Sequence, residues 1–281
     1  MIGSSRGPLG KRIESLRKDG RKLPPSIASD STFGSLTGAL AQSFKLEGPG
    51  ASISATCASG AVAIALGAEQ ILLGHADAML VGGTEAPLYP PLLEQLQATG
   101  VIGFNEDASQ TCRPFDVNRN GTVVGEGSAF LVLESARAAQ TRGVDTLARL
   151  VGWALTLDNC GRTGVSQEGS ALRRTMEQAL QLANLSSNDI DYINAHGTGT
   201  KLNDAGEANS IKALIDGKEV SCSSTKPITG HCLGATPALE AILSVEALRR
   251  QVIPPTANCL SQDPLCAINV QPLAPRPAPL A

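Results

Sequence analysis

Apolar positions along the chain follow two alternating patterns. Ala- and Leu-rich stretches with helical character predict helices over residues 33–44, 61–71, 169–183, 204–215 and 234–249. Short apolar stretches bounded by Gly, Asn or Pro predict strands over residues 51–55, 78–81, 129–133, 147–157, 190–194, 219–223 and 268–270. Because strands and helices alternate, we expect an α/β fold with mainly parallel sheets covered by helices.

The two ends of the chain differ in composition from the rest. Residues 1–25 contain a basic cluster, which we interpret as a solvated amphipathic helix that ends at Pro24-Pro25; the alternative is a binding patch. The cluster consists of Arg6, Lys11, Arg12, Arg17, Lys18, Arg21 and Lys22. The tail, residues 273–281, is rich in proline and is expected to be disordered.

Composition excludes several classes of protein. The length of 281 residues allows one large domain or two ordinary ones, and the net charge of -3 argues against a nucleic-acid partner. Seven scattered cysteines without a CxxC pair argue against a disulfide framework or a metal site and favour a reducing compartment. No signal peptide and no apolar run of membrane-spanning length is visible, so we expect a soluble, cytoplasmic protein without a membrane partner.

Cys57 lies where the predicted strand 51–55 gives way to the predicted helix 61–71. At the start of a helix, the dipole and the unpaired backbone N–H groups favour a thiolate over a thiol. Cys57 is therefore a candidate nucleophile. The alternative is a small thiol buried in the core, which describes most free cysteines.

Two of the three histidines lie in Gly-rich turns that follow predicted strands. His196 is part of Asn194-Ala-His-Gly-Thr-Gly-Thr200, and His231 ends Ser224-Thr-Lys-Pro-Ile-Thr-Gly-His231. Glycine beside both residues lets the backbone approach a ligand closely, which a packing histidine does not require. Lys226 and Glu240 flank His231, and a buried pair of these two would hold it neutral and oriented. The alternative for them is an ordinary surface pair.

Together these strings resemble the β-ketoacyl synthases of the Cys-His-His type, the condensing enzymes of fatty acid and polyketide synthesis. The resemblance runs in order from about residue 3 to residue 258 and includes further strings: Gly82-Gly-Thr-Glu85, Arg113-Pro-Phe-Asp116, Gly125-Glu-Gly127 and Ile253-Pro-Pro-Thr256. It implies a thiolase-like fold of αβαβα layers. Residues 1–135 would form the half that carries the nucleophile, and residues 136–281 the half that carries the histidines and Lys226.

The resemblance also implies roles for individual residues. The implied catalytic residues are Cys57, His196, His231 and Lys226. The implied supporting residues are Glu240, Asp204 and Glu207, and the implied substrate contacts are Thr198, Thr200 and Thr229. No cofactor bound by the protein itself is implied, because an acyl carrier protein would bring its phosphopantetheine arm. A homodimer, or a heterodimer with a related synthase, is the implied assembly.

Two features of the family have no counterpart in this sequence. The opening strand-and-helix section is missing, so the first half is expected to be incomplete, and the Gly-Phe-Gly-Gly turn near the end of the family's sequences is not found. A catalytically impaired fragment or a non-catalytic partner subunit is therefore the alternative to an active synthase. A thiolase is disfavoured because it needs a second active cysteine in a Gly-rich setting, which Cys259 and Cys266 lack.

Overall fold

A computed structural model of the protein describes residues 1–6, 14, 16–160, 166–271 and 274–280. Two compact units can be distinguished within the chain. The first comprises Met1–Gln95, Val124–Leu147 and Cys232–Leu243. The second comprises Leu96–Val123, Ala148–His231 and Ser244–Ala281.

Helices and short strands alternate along the described residues. The helices are α1 (Ile27–Asp30), α2 (Gly34–Phe44), α3 (Ser59–Leu72), α4 (Pro90–Ala98), α5 (Ala136–Arg142), α6 (Ser170–Ala183), α7 (Lys201–Ile215), α8 (Lys226–Thr229) and α9 (Thr236–Arg250). The strands are β1 (Ile2–Gly3), β2 (Ser52–Ile53), β3 (Ala78–Glu85), β4 (Gly127–Glu134), β5 (Tyr192–Asn194), β6 (Ser221–Ser223), β7 (Val252–Ile253), β8 (Asn269–Val270) and β9 (Arg276–Pro277).

The sheet of the first unit has the strand order β2-β1-β3-β4. Strand β1 runs parallel to both of its neighbours, and β4 pairs antiparallel with β3, from Ala78 opposite Glu134 to Glu85 opposite Gly127. Helix α3 lies very close to this sheet at Gly67, where an added Cβ would be 2.2 Å from the Val81 side chain. A glycine is thus required for the helix that follows Cys57 to approach β3.

The second unit contains a parallel sheet with the strand order β5-β6-β8. Its core is a cluster of buried apolar side chains: Phe115, Ala195, Ala208, Ile211, Ile215, Val220, Cys222, Cys266 and Ile268. Because β5 and β6 are parallel, their carboxyl ends meet at one edge of the sheet. The turns that contain His196 and Lys226 begin at that edge.

The expected α/β class is confirmed, and the five predicted helices correspond to α2, α3, α6, α7 and α9. The strand predicted at residues 147–157 is wrong, because these residues have no regular secondary structure. Two residues of this segment, Gly152 and Thr156, contact helix α6. An added Cβ on Gly152 would lie 2.3 Å from the carbonyl oxygen of Ala179 in α6, and the hydroxyl groups of Thr156 and Thr175 are 2.5 Å apart.

The predictions for the two ends of the chain have different outcomes. The prediction of a disordered tail is wrong for residues 274–280, which the structure describes. Strand β9 pairs antiparallel with β7, and the side chain of Gln251 binds the backbone N–H and carbonyl of Leu280. Proline is tolerated in such a two-stranded edge. Of the predicted basic helix, residues 7–13 and 15, which include Lys11 and Arg12, lie outside the described residues. Residues 14 and 16–18 are helical, whereas Ile2–Gly3 form β1 and residues 21–24 have no regular secondary structure. Among the described helices, none is both long and apolar enough to cross a membrane.

Candidate functional site

Cys57 lies in a tight turn between β2 and α3 in the first unit. Thr56, directly before it, has a φ of 48°, a left-handed conformation that is strained for a β-branched residue. Helix α3 begins two residues after Cys57, at Ser59. The turn therefore places a partly buried thiol next to the amino terminus of a 14-residue helix.

Ser59 fixes this turn through its buried hydroxyl group. The hydroxyl donates to the carbonyl of Thr56 at 2.6 Å and accepts from the backbone N–H of Ala55 at 2.9 Å. Backbone hydrogen bonds from Ala58 to Ala55 and from Ser59 to Thr56 close the same turn. These bonds span Cys57 on both sides, so they constrain the backbone that carries the thiol.

In the second unit, His196 lies immediately after β5 and is partly buried. The carboxylate of Glu207 in α7 accepts the backbone N–H of His196 at 2.6 Å and that of Gly197 at 2.8 Å. Gly197 has a φ of 37°, and an added Cβ would be 2.5 Å from Ser224. The conformation of the His196 turn is therefore held by a buried carboxylate and by a position where glycine is required.

Asp204 anchors the remainder of this turn from the first turn of α7. Its fully buried carboxylate accepts the backbone N–H of Phe115 at 2.8 Å and that of Gly199 at 3.2 Å, and the amide of Asn203 at 3.2 Å. Neither Asp204 nor Glu207 is therefore a solvated surface acid. Both carboxylates accept backbone N–H groups of the His196 turn, and Asp204 also binds the backbone of Phe115.

His231 and Lys226 belong to one compact segment after β6. Lys226 starts α8 and is 0% exposed, whereas the backbone N–H of His231 donates to the carbonyl of Val123 at 2.7 Å. Ser224 connects this segment to the His196 turn, because its hydroxyl donates to the carbonyl of Gly197 at 2.8 Å. The two histidine-bearing segments are thus connected within the second unit.

The two imidazole rings lie next to each other. Their centroids are 5.3 Å apart and their planes make an angle of 83°. Burial lowers the pKa of His231 to about 3, with a further contribution from the positive charge of Lys226. Burial also lowers the pKa of His196 well below its ordinary value, with contributions from Lys226 and His231. Both rings are therefore neutral at pH 7, and each has one N–H to donate.

Desolvation acts in the opposite sense on the buried carboxylates of Glu207 and Asp204. It raises the pKa of Glu207 to about 7, although the N–H groups of Gly197 and His196 oppose the shift. Desolvation also raises the pKa of Asp204 above its ordinary value, opposed by its hydrogen-bond donors.

The three threonines implied as substrate contacts also lie in the second unit. The hydroxyl groups of Thr198 and Thr200 are 3.0 Å apart, and Thr198 is buried. The hydroxyl of Thr229 donates to the carbonyl of Gly230 at 2.9 Å. Cys57 and Glu240 belong to the first unit, where Glu240 is half-buried in α9. That they act together with the histidines stays a prediction.

Arg119 is a buried residue of this region that the sequence analysis did not identify. Its guanidinium lies 3.7 Å from Asp204 and 2.5 Å from Asp263, and it donates to the carbonyls of Asp116 and Lys201. Its sequence context, between two asparagines and before Gly121, is typical of an exposed loop, so no pattern signals its burial.

Two sequence-family models match the chain. The model described as "Beta-ketoacyl synthase, N-terminal domain" matches residues 1–139. The model described as "Beta-ketoacyl synthase, C-terminal domain" matches residues 147–260. The two matches lie in the order that the sequence motifs indicate.

Individual proteins are similar over most of this chain. Nodulation protein E of Rhizobium leguminosarum bv. trifolii is 43% identical over 233 residues, which cover 82% of this chain and 56% of the relative. The 3-oxoacyl-[acyl-carrier-protein] synthase 2 of Mycobacterium bovis is 39% identical over 231 residues, or 79% of this chain and 54% of the relative. The chain thus spans about half the length of these curated relatives.

A solved structure is similar over nearly the whole chain. It is a type II polyketide synthase acyl-carrier protein in complex with its ketosynthase, which is bound to the hexaketide. The TM-score is 0.91 at 29% sequence identity, and the match covers 99% of this chain and 72% of that chain.

Proposed function

The chain belongs to the β-ketoacyl synthase family and has its thiolase-like α/β fold, and from this premise we propose that it catalyses decarboxylative condensation of acyl thioesters. Cys57 is the nucleophile, and His196 and His231 stabilise the enolate. The observation that carries the proposal is the pair of adjacent imidazoles with lowered pKa values, because neutral rings donate N–H bonds at pH 7.

In the first half-reaction, the thiolate of Cys57 attacks the carbonyl carbon of an acyl thioester. The bond from that carbon to the sulfur of the carrier's phosphopantetheine breaks, and the carrier leaves as a free thiol after taking up a proton. The acyl group remains on Cys57 as a thioester. The strained turn at Thr56 and the start of α3 favour this step, because they present the thiol at the positive end of a helix dipole.

In the second half-reaction, a malonyl thioester loses its carboxylate as CO2. The electron pair of the broken C–C bond forms an enolate, whose oxygen accepts N–H bonds from His196 and His231. The enolate carbon then attacks the acyl carbon on Cys57, the C–S bond breaks, and the thiolate is restored. Preorganised donors aimed at a developing oxyanion are usually the largest single contribution to such a reaction.

The other predicted residues support these steps. The buried charge of Lys226 helps to keep both histidines neutral, and Glu207 and Asp204 fix the backbone after His196. Glu240 is proposed to support His231 from α9. Thr198 and Thr200 would contact the pantetheine arm of the carrier, with Thr229 as a further substrate contact.

The proposed partner is an acyl carrier protein, which brings the phosphopantetheine arm, and no other cofactor is required. A solved relative is a ketosynthase in complex with its acyl-carrier protein. A curated relative is a 3-oxoacyl-[acyl-carrier-protein] synthase. We therefore propose a role in fatty acid or polyketide biosynthesis, as a homodimer or as a heterodimer with a related synthase.

The test measures CO2 release from malonyl-acyl carrier protein by the purified chain. Removing one donor of this kind typically lowers the rate about a hundred- to thousandfold, so we expect that loss for His196→Ala and for His231→Ala. His75→Ala is the matched control, because His75 is exposed and its ring, within the described part of the chain, is hydrogen-bonded to the side chain of Gln70.

Acyl transfer provides the second half of the test. Incubation with a radiolabelled acyl-carrier thioester should label the wild type and Cys160→Ala but not Cys57→Ala. Cys160 is the matched control because it is exposed. Labelling of Cys57 without any decarboxylation, or neither reaction, would contradict the proposal and favour an impaired or non-catalytic subunit.

A further inference from the structure

Glu85, the last residue of β3, is a buried acid to which the proposed mechanism assigns no role. Its two carboxylate oxygens accept hydrogen bonds from the hydroxyl of Ser4 at 3.2 Å and from the hydroxyl and N–H of Ser5 at 2.7 and 2.6 Å. The backbone N–H of Arg6 donates at 3.3 Å, and that of Gly234 at 3.1 Å. All five donors are neutral, and all of these residues lie in the first unit.

The contact with Gly234 gives Glu85 a connection to the proposed site. Gly234 lies three residues after His231, in the 3-10 turn Leu233–Ala235. That turn is strained, because Leu233 has a φ of 43°. The Glu85 carboxylate therefore binds the backbone of a conformation that would not persist without support.

The same turn packs against the helix that follows Cys57. An added Cβ on Gly60 in α3 would be 2.9 Å from the carbonyl oxygen of Gly234, and one on Gly83 in β3 would be 2.7 Å from it. Backbone is thus in direct contact with backbone on both sides of the turn. A shift of Gly234 could not be absorbed by a flexible side chain at these positions.

We propose that Glu85 is a positioning residue, which fixes the turn after His231 against the first turn of the helix after Cys57. This inference rests on the proposed function, and it adds a residue that acts on the reaction through the backbone without contacting the substrate. If an amide replaced the Glu85 carboxylate, some of its N–H and O–H donors would face an NH2 group, which cannot accept a hydrogen bond. The strained turn would then lose its support. A displacement of about 1 Å at reacting groups lowers a rate by up to about a hundredfold.

Glu85→Gln is the test variant and Glu134→Gln the matched control. Glu134 lies on the adjacent strand β4, and its carboxylate pairs at the surface with Arg142. For Glu85→Gln we expect kcat for malonyl decarboxylation to fall about ten- to a hundredfold, with KM for the malonyl carrier changed less than about twofold. The control should retain wild-type kcat.

A second readout does not depend on activity. In protein with 13C-labelled histidine, the imidazole C–H signals of His231, assigned with His231→Ala, should shift in Glu85→Gln and not in the control. Ser5→Ala removes one donor and leaves the Gly234 contact, so it should shift the signals in the same direction by a smaller amount.

Each outcome decides one question. Wild-type His231 signals and wild-type kcat in folded Glu85→Gln would overturn the inference. If Glu85→Gln does not fold, unchanged His231 signals in Ser5→Ala would overturn it instead. If the wild type itself does not decarboxylate malonyl thioesters, the proposed function fails, whereas the His231 signals still decide whether Glu85 positions the turn.

Discussion

The neutrality of His231 makes a quantitative prediction for the acid stability of the fold. In the native protein burial lowers its pKa to about 3, against an ordinary value of 6.5 in an unfolded chain. Below pH 6.5 the unfolded chain therefore takes up a proton that the native state does not. The contribution of His231 to stability is complete above pH 6.5 and is lost as the pH falls toward 3.

The size of the effect follows from the width of this window. Each pH unit inside the window corresponds to about 1.4 kcal/mol of unfolding free energy. Between about pH 7.5 and about pH 4.5, two units of the window are crossed, so His231 alone should destabilise the fold by about 3 kcal/mol. The pKa of Glu207 is raised from 4.5 to about 7, so its protonation stabilises the native state as the pH falls through nearly the same range. This opposite change masks the effect of His231 in the wild type.

The assay therefore compares wild type with His231→Gln, which keeps a neutral polar side chain at every pH. Urea unfolding at several pH values gives the difference in unfolding free energy between the two proteins. This difference should change by about 3 kcal/mol from about pH 7.5 to about pH 4.5, in favour of the variant at low pH. His75→Gln, at an exposed histidine, should show no such trend. A His231→Gln difference that stays constant within about 0.5 kcal/mol would refute the assignment of a neutral, desolvated ring.

Two further predictions concern the first unit. Gly60→Ala should lower the free energy of unfolding by about 1–3 kcal/mol although alanine favours helices, because its Cβ would lie 2.9 Å from a carbonyl oxygen. Gly38 lies in helix α2, where an added Cβ would meet no atom within 4 Å, so Gly38→Ala should raise the free energy of unfolding by up to about 1 kcal/mol. Equal effects of the two substitutions in thermal unfolding would contradict the packing argument. In iodoacetamide labelling at neutral pH, the fast phase should disappear in Cys57→Ala and persist in Cys160→Ala, because a hydrogen bond with Asp158 raises the pKa of Cys160. Loss of the fast phase in Cys160→Ala would contradict the helix-terminus argument.

The helices could be predicted from the sequence because their signals are local. Ala- and Leu-rich runs ended by Gly or Asn place α3 and α6 to within a few residues of their observed bounds. The strands depend on partners that are distant in sequence. Residues 147–157 have the composition of a strand, but among the described residues no strand pairs with them.

The candidate residues of the site could be found because rare residue types occur in Gly-rich turns. His196 and His231 follow this rule, whereas Cys57 is indicated by its place at the junction of a predicted strand and a predicted helix. Of the residues that hold these turns, the family resemblance implies Asp204 and Glu207, but it assigns no role to Arg119 or Glu85. Arg119 and Glu85 are buried, but a charged residue near a glycine is typical of an exposed loop. Only three-dimensional contacts identify their roles.

A single physical cause connects the electrostatic features of the second unit. Desolvation lowers the pKa of both imidazoles and raises the pKa of Glu207, because it penalises whichever form of a group is charged. The two N–H groups that Glu207 accepts come from His196 and Gly197, so the carboxylate must remain buried in order to hold the turn. One dry environment therefore has two consequences: it keeps the imidazoles neutral as donors for an enolate, and it buries the Glu207 carboxylate unfavourably. Admitting water to relieve Glu207 would also hydrate the histidines, raise their pKa values toward 6.5, and reduce the fraction of neutral rings at acidic pH.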